Sequence, residues 1–507
     1  MIGGGPAGAS AAGLLASWGH DVVLVTRPTP PGGWLAESIP ASARGLLEKT
    51  GVLDAVERAE LFPNGGNTVW WAGREERRES FPDGTLGFHA EREALERALL
   101  AAAASTGARL INTAPVRRAR RAEDRWTIEW GESTVEARWI LDASGRTGVV
   151  ARAGRVEDHG TATLALVGRW RSPSGWGDDA THTLIESHRD GWAWSVPISR
   201  ELRCVTAMVD PRRTDLRRQS DLGVMLDAEL EKTRHLLNRL SGTAADGPVR
   251  ACSASLYSAE HYARDGVLLV GDAGSFIDPL SSYGVKKALA SAWLAAVVCN
   301  TALTEEGAAA MATAFFDTRE REVYRRYRSL SIPFLEEAAA AHSHPFWTAR
   351  VDAARAAAGT GAPDHASRDD PADRLDPAED ADALVGRRAV RESYEEIRRR
   401  PKAEFLAARA ADVVAAPVIR GRRVELAPHL TSASSPEPVR YIRNVDLCWL
   451  VEEAPRHDQV ADLYDAYSVA SGPVPLPDFL AALATAVGVG FLELSGWRPE
   501  AAHDTMG

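Results

Sequence analysis

Apolar positions recur along this chain in distinct rhythms, and each rhythm marks a different part of it. MIGGGPAGASAAGLLASWGHDVVLVTRP runs from a glycine-rich turn through Ala12, Leu15 and Gly19 at helical intervals to the apolar stretch Val22 to Val25. The pattern predicts strand, turn, helix, strand. Far downstream, DGVLLVGDAGSFIDPLSSYGVKKALASAWLAAVVCNTAL predicts a buried strand at Val267 to Val270, a turn at Gly271 and Asp272, and a long apolar helix after Gly284. WTIEW, TATLALVGRW, THTLIESH, GWAWSVPI and RCVTAMVD alternate instead with period two, as strands of an antiparallel sheet do. EVYRRYRSLSIPFLEEAAAAHSHPFWTARVDAARA returns to helical spacing.

These rhythms set the expected organisation. At 507 residues the chain is too long for one core. The expected class is α/β: a Rossmann-like nucleotide-binding domain over 1–355 (segments 1–60, 88–160 and 262–330), an inserted antiparallel β-sheet substrate domain (61–87 and 161–261), and closing helices at 331–355. Residues 356–385, rich in Pro, Asp, Ala and Arg without apolar periodicity, read as a linker. Beyond it, VIRGRRVEL predicts a hairpin, VRYIRNVDLCWLVEEA and VPLPDFLAALATAVGVGFLEL predict helical runs, and a terminal strand follows. Residues 386–507 are thus expected to form a mainly α, winged-helix-like module that contacts protein or peptide, or braces the enzyme.

Composition narrows the function classes. With 45% hydrophobic and 25% charged residues the chain is ordinary for a globular protein, and it has no uninterrupted apolar stretch long enough to span a bilayer. It opens almost at once into the glycine turn, without the pattern of a secretory leader, so a cytoplasmic location is the expectation. A net charge of −11 argues against a nonspecific grip on nucleic acid. Cys204, Cys252, Cys299 and Cys448 are widely spaced and include no CxxC, so neither a metal site nor a disulfide framework is expected. Lysine is scarce: Lys49, Lys232, Lys286, Lys287 and Lys402 are all there are.

The opening motif carries the first chemistry. Gly3, Gly5 and Gly8 stand in GxGxxG spacing between a strand and a helix. Gly3 suits the tight turn, Gly5 lets a pyrophosphate approach the backbone, and Gly8 lets the helix pack closely, with the helix dipole facing the anion. The acid that usually ends the second strand is replaced by Thr26, followed by Arg27.

Four further segments follow the glycine turn: AESIPASARGLLEKTGV, HAEREALERALL led by Arg92, ARWILDASGRTGVVAR, and GDAGSFIDPLSSYGV. Together they resemble the FAD-binding motifs of the flavoprotein monooxygenase and halogenase superfamily, with Ala36 where that family often has glycine. The resemblance implies FAD, a Rossmann-like FAD-binding domain of the GR2 type, and cofactor contacts at Gly3, Gly5, Pro6, Ala7, Gly8, Thr26, Arg27, Ser38 and Arg92. It adds Gly271 and Asp272, the aspartate bonding the ribityl chain, and Pro279, Ser282, Gly284 and Val285, where the last helix points at the flavin. There is no second GxGxxG, so either a partner flavin reductase supplies reduced flavin or NAD(P)H binds transiently.

GWAWSVP resembles the WxWxIP motif of flavin-dependent halogenases, in which two tryptophans, here Trp192 and Trp194, divide the flavin compartment from the substrate compartment. Halide oxidation at a flavin C4a-hydroperoxide requires, in that family, a lysine early in the chain to hold the hypohalous acid. No lysine stands between Lys49 and Lys232. Where the tryptophan halogenases have PLESTG, this chain puts Ser281 for the acid and Tyr283 for the threonine. The expectation is an FAD-dependent monooxygenase that uses molecular oxygen to hydroxylate an electron-rich aromatic, an indole or tryptophan or a phenol. A resemblance to flavoproteins that hydroxylate tryptophan in quinone-cofactor precursors keeps peptide- or carrier-borne substrates open. The rivals are a halogenase whose lysine is displaced to Lys286 or Lys287, and a flavoenzyme whose carboxy-terminal domain is a docking module. Candidate catalytic residues are Trp192, Trp194, Tyr283, Lys287 and Glu186. Glu186 shares a strand face with His188, and His182 lies just upstream; exposed polar residues of a sheet are the plainer reading of these three.

Overall fold

The apolar run at Val22 becomes the strand Val23–Thr26, which pairs in parallel with Arg109–Asn112. Ile2 bridges in parallel to Val25 on one side and to Asp142 on the other, and Ile140–Asp142 pairs in parallel with Val267–Leu269. Their carboxyl ends therefore share one edge, where ligands of open parallel sheets bind. This computed structural model describes residues 1–27, 35–112, 115–150, 154–158, 161–212, 221–358, 384–400, 402–409 and 411–497. The chain divides into two compact units, one carrying the described residues up to 358 and the other those from 384 onward. Most of the expected linker, 359–383, lies outside the described residues.

Three helices cover the parallel sheet. Pro6–Ser17 packs against both Arg92–Ser105 and Gly284–Thr304. It can do so because Ala7, Gly8, Ala9, Ala11 and Ala12, all buried, keep its surface thin. Gly284–Thr304 has the length and composition of a membrane span, yet most of it is buried inside this unit, as the core helix of a folded domain would be.

The period-two segments form an eight-stranded sheet. Its main path runs Ala244–Ala245, Leu164–Arg171, Leu202–Val209, Gly191–Pro197, His182–His188, Gly66–Trp70, Arg77–Ser80, with Arg250–Ser253 also on Leu164–Arg171. Two expectations change here. The sheet is not wholly antiparallel, since His182–His188 pairs in parallel with Gly66–Trp70, a strand from early in the chain. WTIEW is not part of it: Arg125–Trp130 is the middle strand of a separate three-stranded meander between Arg118–Ala122 and Ser133–Ala137. Alternation identifies a half-buried strand but not the sheet it joins. Beyond the sheet, Ala309–His342 and Pro345–Ala358 form a helical hairpin that turns at Ser343, whose φ is 46°.

In the second unit the predicted hairpin is Asp412–Arg420 with Arg423–Ser432, turning at Gly421. VRYIRNVDLCWLVEEA is only half helical. Tyr441–Ile442 and Val445–Asp446 pair across Arg443 and Asn444, which take φ of 47° and 68°, and only Leu447–Glu453 is α-helical. Asp446 decides the break, because its carboxylate accepts from the N–H groups of Cys448 and Trp449 and caps the helix there.

A Gly8→Ala substitution would place a methyl group on the Gly3 carbonyl oxygen, backbone that cannot move aside. Gly8→Ala is expected to lower the midpoint of thermal unfolding, read by circular dichroism.

Candidate active site

Three turns remote in sequence converge on the carboxyl edge of the parallel sheet. Gly3, with φ of 99°, lies against the carbonyl of Ala143 so closely that no side chain fits, and the Gly3 carbonyl in turn leaves Gly8 none. Gly271, with φ of 62°, stands against Ala7, a Cβ there lying 3.1 Å from the alanine methyl. Gly5 is different. A Cβ on it would meet only Glu96 Oε1 at 3.7 Å and Arg92 Nη2 at 3.8 Å. Packing requires Gly3 and Gly8, whereas Gly5 leaves room for a ligand beside a guanidinium. Pro6 opens the helix behind it, and no acid occupies that helix's first turn. Open space, a helix N-terminus and an arginine suit a pyrophosphate.

Arg92 is held in that position by two carboxylates. Its Nε donates to Glu96 Oε1 at 2.9 Å, and Nη1 lies 3.4 Å from Glu37 Oε1. Burial works against its charge, but Glu37 and Glu96 outweigh it and hold the guanidinium above its ordinary pKa. Burial raises Glu37 above the usual carboxylate value despite Arg92. Neither acid was among the expected site residues. Glu96 was legible as the i+4 partner of Arg92; Glu37 stands next to Ser38, on a strand that sends the two side chains opposite ways.

That alternation corrects Ser38. Its Oγ lies 2.9 Å from Thr183 Oγ1 and accepts from Asn64 Nδ2 at 3.1 Å, and His89 Nε2 meets the same threonine at 3.0 Å. Burial first, then Arg203, pushes His89 down to about 3, so the network is neutral. Ser38 therefore faces the eight-stranded sheet rather than the crevice. Thr26 fills the space beside Gly4, its Oγ1 lying 2.6 Å from where a Cβ would be, and Arg27 is exposed.

In the downstream turn, Gly271 N–H donates to Ser291 Oγ at 2.8 Å and the Asp272 carbonyl accepts from Tyr257 at 2.5 Å. The Asp272 side chain is partly exposed, with Oδ1 3.6 Å from Lys287 Nζ. Asp278 caps the short turn of helix at Pro279 by accepting from Leu280 N–H at 3.0 Å, and Ser282, at φ 55°, leads through Tyr283 into the helix at Gly284. No atom lies within 4 Å of a Cβ on Gly284, so that helix end is open, while Val285 is buried. Lys287 is not turned to a substrate: it is 1% exposed and donates to the Ser275 carbonyl at 2.6 Å. Lys286 donates to Ser42 Oγ at 3.0 Å, and Tyr283 packs on Tyr327 at 5.8 Å.

Trp192 and Trp194 share a face and meet edge to face at 5.4 Å. They belong to an apolar cluster with Trp71, Ile185, Trp347, Leu35, Ala36, Phe276 and Leu280, so one aromatic wall reaches both the helical hairpin and the turn before the Gly284–Thr304 helix. Ser187, directly opposite Trp192, lies 3.2 Å from His342 Nε2, and His342 stacks on Trp347. His342 was missed because it belongs to a helix distant in sequence.

Glu186 points away from this face and is buried, against the expectation of catalysis or exposure. Its carboxylate accepts from the N–H groups of Arg234 at 2.7 Å, His235 at 2.9 Å and Leu236 at 2.8 Å, capping the helix His235–Leu240. His188 and His182 are buried too, the former 3.3 Å from Asp190 and the latter 3.0 Å from Thr68. His188, Asp190 and Glu229 come close enough to hold a cation, but Lys232 already bridges both acids at 2.8–2.9 Å.

The model of the FAD binding domain family matches residues 1–324, well over half the chain. The chain belongs to the FAD-binding family of flavin-dependent halogenases and monooxygenases. It is an FAD-dependent oxidoreductase. Tryptophan 2-halogenase from Chondromyces crocatus is 29% identical over 374 residues, 69% of this chain and 70% of that protein. The flavin-dependent halogenase CmlS superposes with a TM-score of 0.74 at 22% identity, covering 97% of this chain and 94% of that one. The peptidyl tryptophan dihydroxylase QhpG superposes with a TM-score of 0.67 at 22% identity, covering 96% and 98%. At that identity both show the fold alone. The glycine turn, Arg92 and the open end of the Gly284 helix are where this flavoenzyme would hold FAD.

Glu186→Gln, which cannot accept the same set of backbone bonds, is expected to lower stability by about 1–3 kcal/mol in denaturant melts while leaving the FAD dissociation constant unchanged. Loss of turnover at full stability would mean that Glu186 acts in the chemistry.

Proposed function

We propose that this flavoenzyme is a monooxygenase that hydroxylates an electron-rich aromatic ring, an indole or a phenol. The observation that carries the reading is the place of every lysine. Lys49 lies over the Trp293 ring at 3.8 Å, Lys232 is bound to Asp190 and Glu229, Lys286 is on Ser42, Lys287 is on Ser275, and Lys402 pairs with Asp458 in the second unit. Each of the five is held by one of these partners, an indole face, an acid, a hydroxyl or a backbone carbonyl, rather than standing as an amine beside Trp192 and Trp194 in any contact recorded among the described residues. Arginine, always charged and delocalised, does not replace an amine there. That speaks against the displaced-lysine halogenase. The similarity to a tryptophan halogenase on one side and to the fold of a peptidyl tryptophan dihydroxylase on the other supports an aromatic substrate.

When bound, FAD supplies the activation of molecular oxygen. The residues of this chain have other tasks. Trp71, Trp192 and Trp347 are buried in one apolar cluster that excludes water, and Trp194, half-buried on its edge, is the ring left to meet an arene. Hydroxylation also requires a proton to leave the ring or its heteroatom. His342 is the group for that step: burial, then His188, holds it below the ordinary histidine pKa, so it is neutral near pH 7 and able to accept a proton beside Ser187.

Supplied with reduced FAD, oxygen and bromide, the enzyme is expected to give products heavier by one oxygen atom and free of bromine from a panel of phenols, indoles and tryptophan-bearing peptides, as read by mass spectrometry. Brominated products without new hydroxyls would refute the assignment. Because His342 must be neutral, kcat is expected to rise with pH through its titration. His342→Gln is expected to lower kcat about 100-fold and to erase that acidic limb; a variant retaining the limb would assign the proton to another group.

A further inference from the structure

Lys287 is an unusual charge in the first unit. It sits in the first turn of the Gly284–Thr304 helix, where the helix dipole disfavours a cation, and it is 1% exposed, where desolvation disfavours any charge. Such a group persists only if fixed partners compensate it. One is the Ser275 carbonyl at 2.6 Å; another is Asp272 Oδ1 at 3.6 Å. A third is Glu320, from the long helix Ala309–His342, a carboxyl 3% exposed whose charge Lys287 favours. Arg319 and Ser291 also favour that charge, yet burial dominates and pushes Glu320 up to about 7. Tyr262 completes the cluster beside Ser275 and Glu320.

The backbone around Asp272 is already fixed, by Ser291 on the Gly271 N–H and by Tyr257 on the Asp272 carbonyl. What remains free is the direction of the Asp272 carboxylate, one oxygen of which lies 3.6 Å from Lys287 Nζ while the side chain keeps 28% of its surface exposed. We propose that Lys287 is a positioning residue for the cofactor: its ammonium, anchored on the Ser275 carbonyl, sets the Asp272 carboxylate toward the hydroxylated chain of FAD, and Glu320 shares that ammonium from the core side. The role is independent of whether the enzyme hydroxylates or halogenates, because it is read in FAD affinity.

The test is titration of the deflavinated full-length protein with FAD, followed by quenching of flavin fluorescence. Lys287→Met and Asp272→Asn are each expected to raise Kd about tenfold, and the double variant to stay within about twofold of Asp272→Asn, since both remove one interaction. Glu320→Gln alone is expected to bind within about twofold of the wild type, because the ammonium remains. Lys287→Met combined with Glu320→Gln removes both buried charges together, so it preserves the neutrality of the core should the single lysine variant fail to fold. It is expected to show the same loss of about tenfold as Lys287→Met. Wild-type affinity in either Lys287 variant, multiplying losses in the Lys287 and Asp272 pair, or an equal loss from Glu320→Gln alone would each overturn the proposal. The last two would tie affinity to core packing rather than to the carboxylate.

Discussion

Everything at the crevice depends on how closely one carbonyl is approached. The oxygen of Gly3 occupies the space where residue 8 would carry a methyl group, and Gly3 itself is pressed on the Ala143 carbonyl. That contact brings the first helix down onto the sheet, points its N-terminus at the carboxyl edge, and lets Gly271 close against Ala7 from the far end of the domain. A helix end is a useful anion site only when nothing stands in front of it. Gly5 keeps that front clear, and Arg92 supplies the positive charge beside it.

The charges around the crevice form linked sets rather than isolated pairs. Arg92 answers to Glu37 and Glu96; Asp272 answers to Lys287, which also serves Glu320. Each set places one charge at the crevice and its counter-charges behind, in partly or fully buried positions. Breaking such a set from one side leaves a buried charge without its partner, which is more damaging than never having built it. The charges that face the crevice and the stability of the first unit are therefore coupled through the same side chains.

Much of this was readable from local pattern. Spacing alone marks Gly3, Gly5 and Gly8, and the helix behind Arg92 follows from its amphipathic period. What local pattern misses is partnership between distant segments. Glu320 and His342 sit in a helix whose sequence announces only helical periodicity; Glu320 meets Lys287 and Ser291 because that helix packs beside Gly284–Thr304, and His342, at its far end, meets Ser187 and Trp347. WTIEW shows the converse: its alternation is real, but membership of a sheet is decided by which edge is free, information the strand itself does not carry. Asp446 shows a third kind of miss, where one capping side chain overrides a helical period over half its length.

The strand His182–His188 makes the division of labour concrete. Because side chains alternate, Ile185 and Ser187 belong to the aromatic wall with Trp192 and Trp194, while Glu186 turns to the other face and caps His235–Leu240. An acid placed one residue earlier or later would enter the wall and put an ionised group, or a costly neutral one, against the indole rings. The cap on the opposite face thus does more than hold a helix: it fixes the register of the strand, and with it which residues join the aromatic wall. A sheet packed on both faces can keep one side apolar only while the other absorbs its charges. Arg203 does the same two strands further on, fully buried and bonded to Ser195 Oγ and the Asp179 carbonyl, with burial pulling its pKa down to about 9.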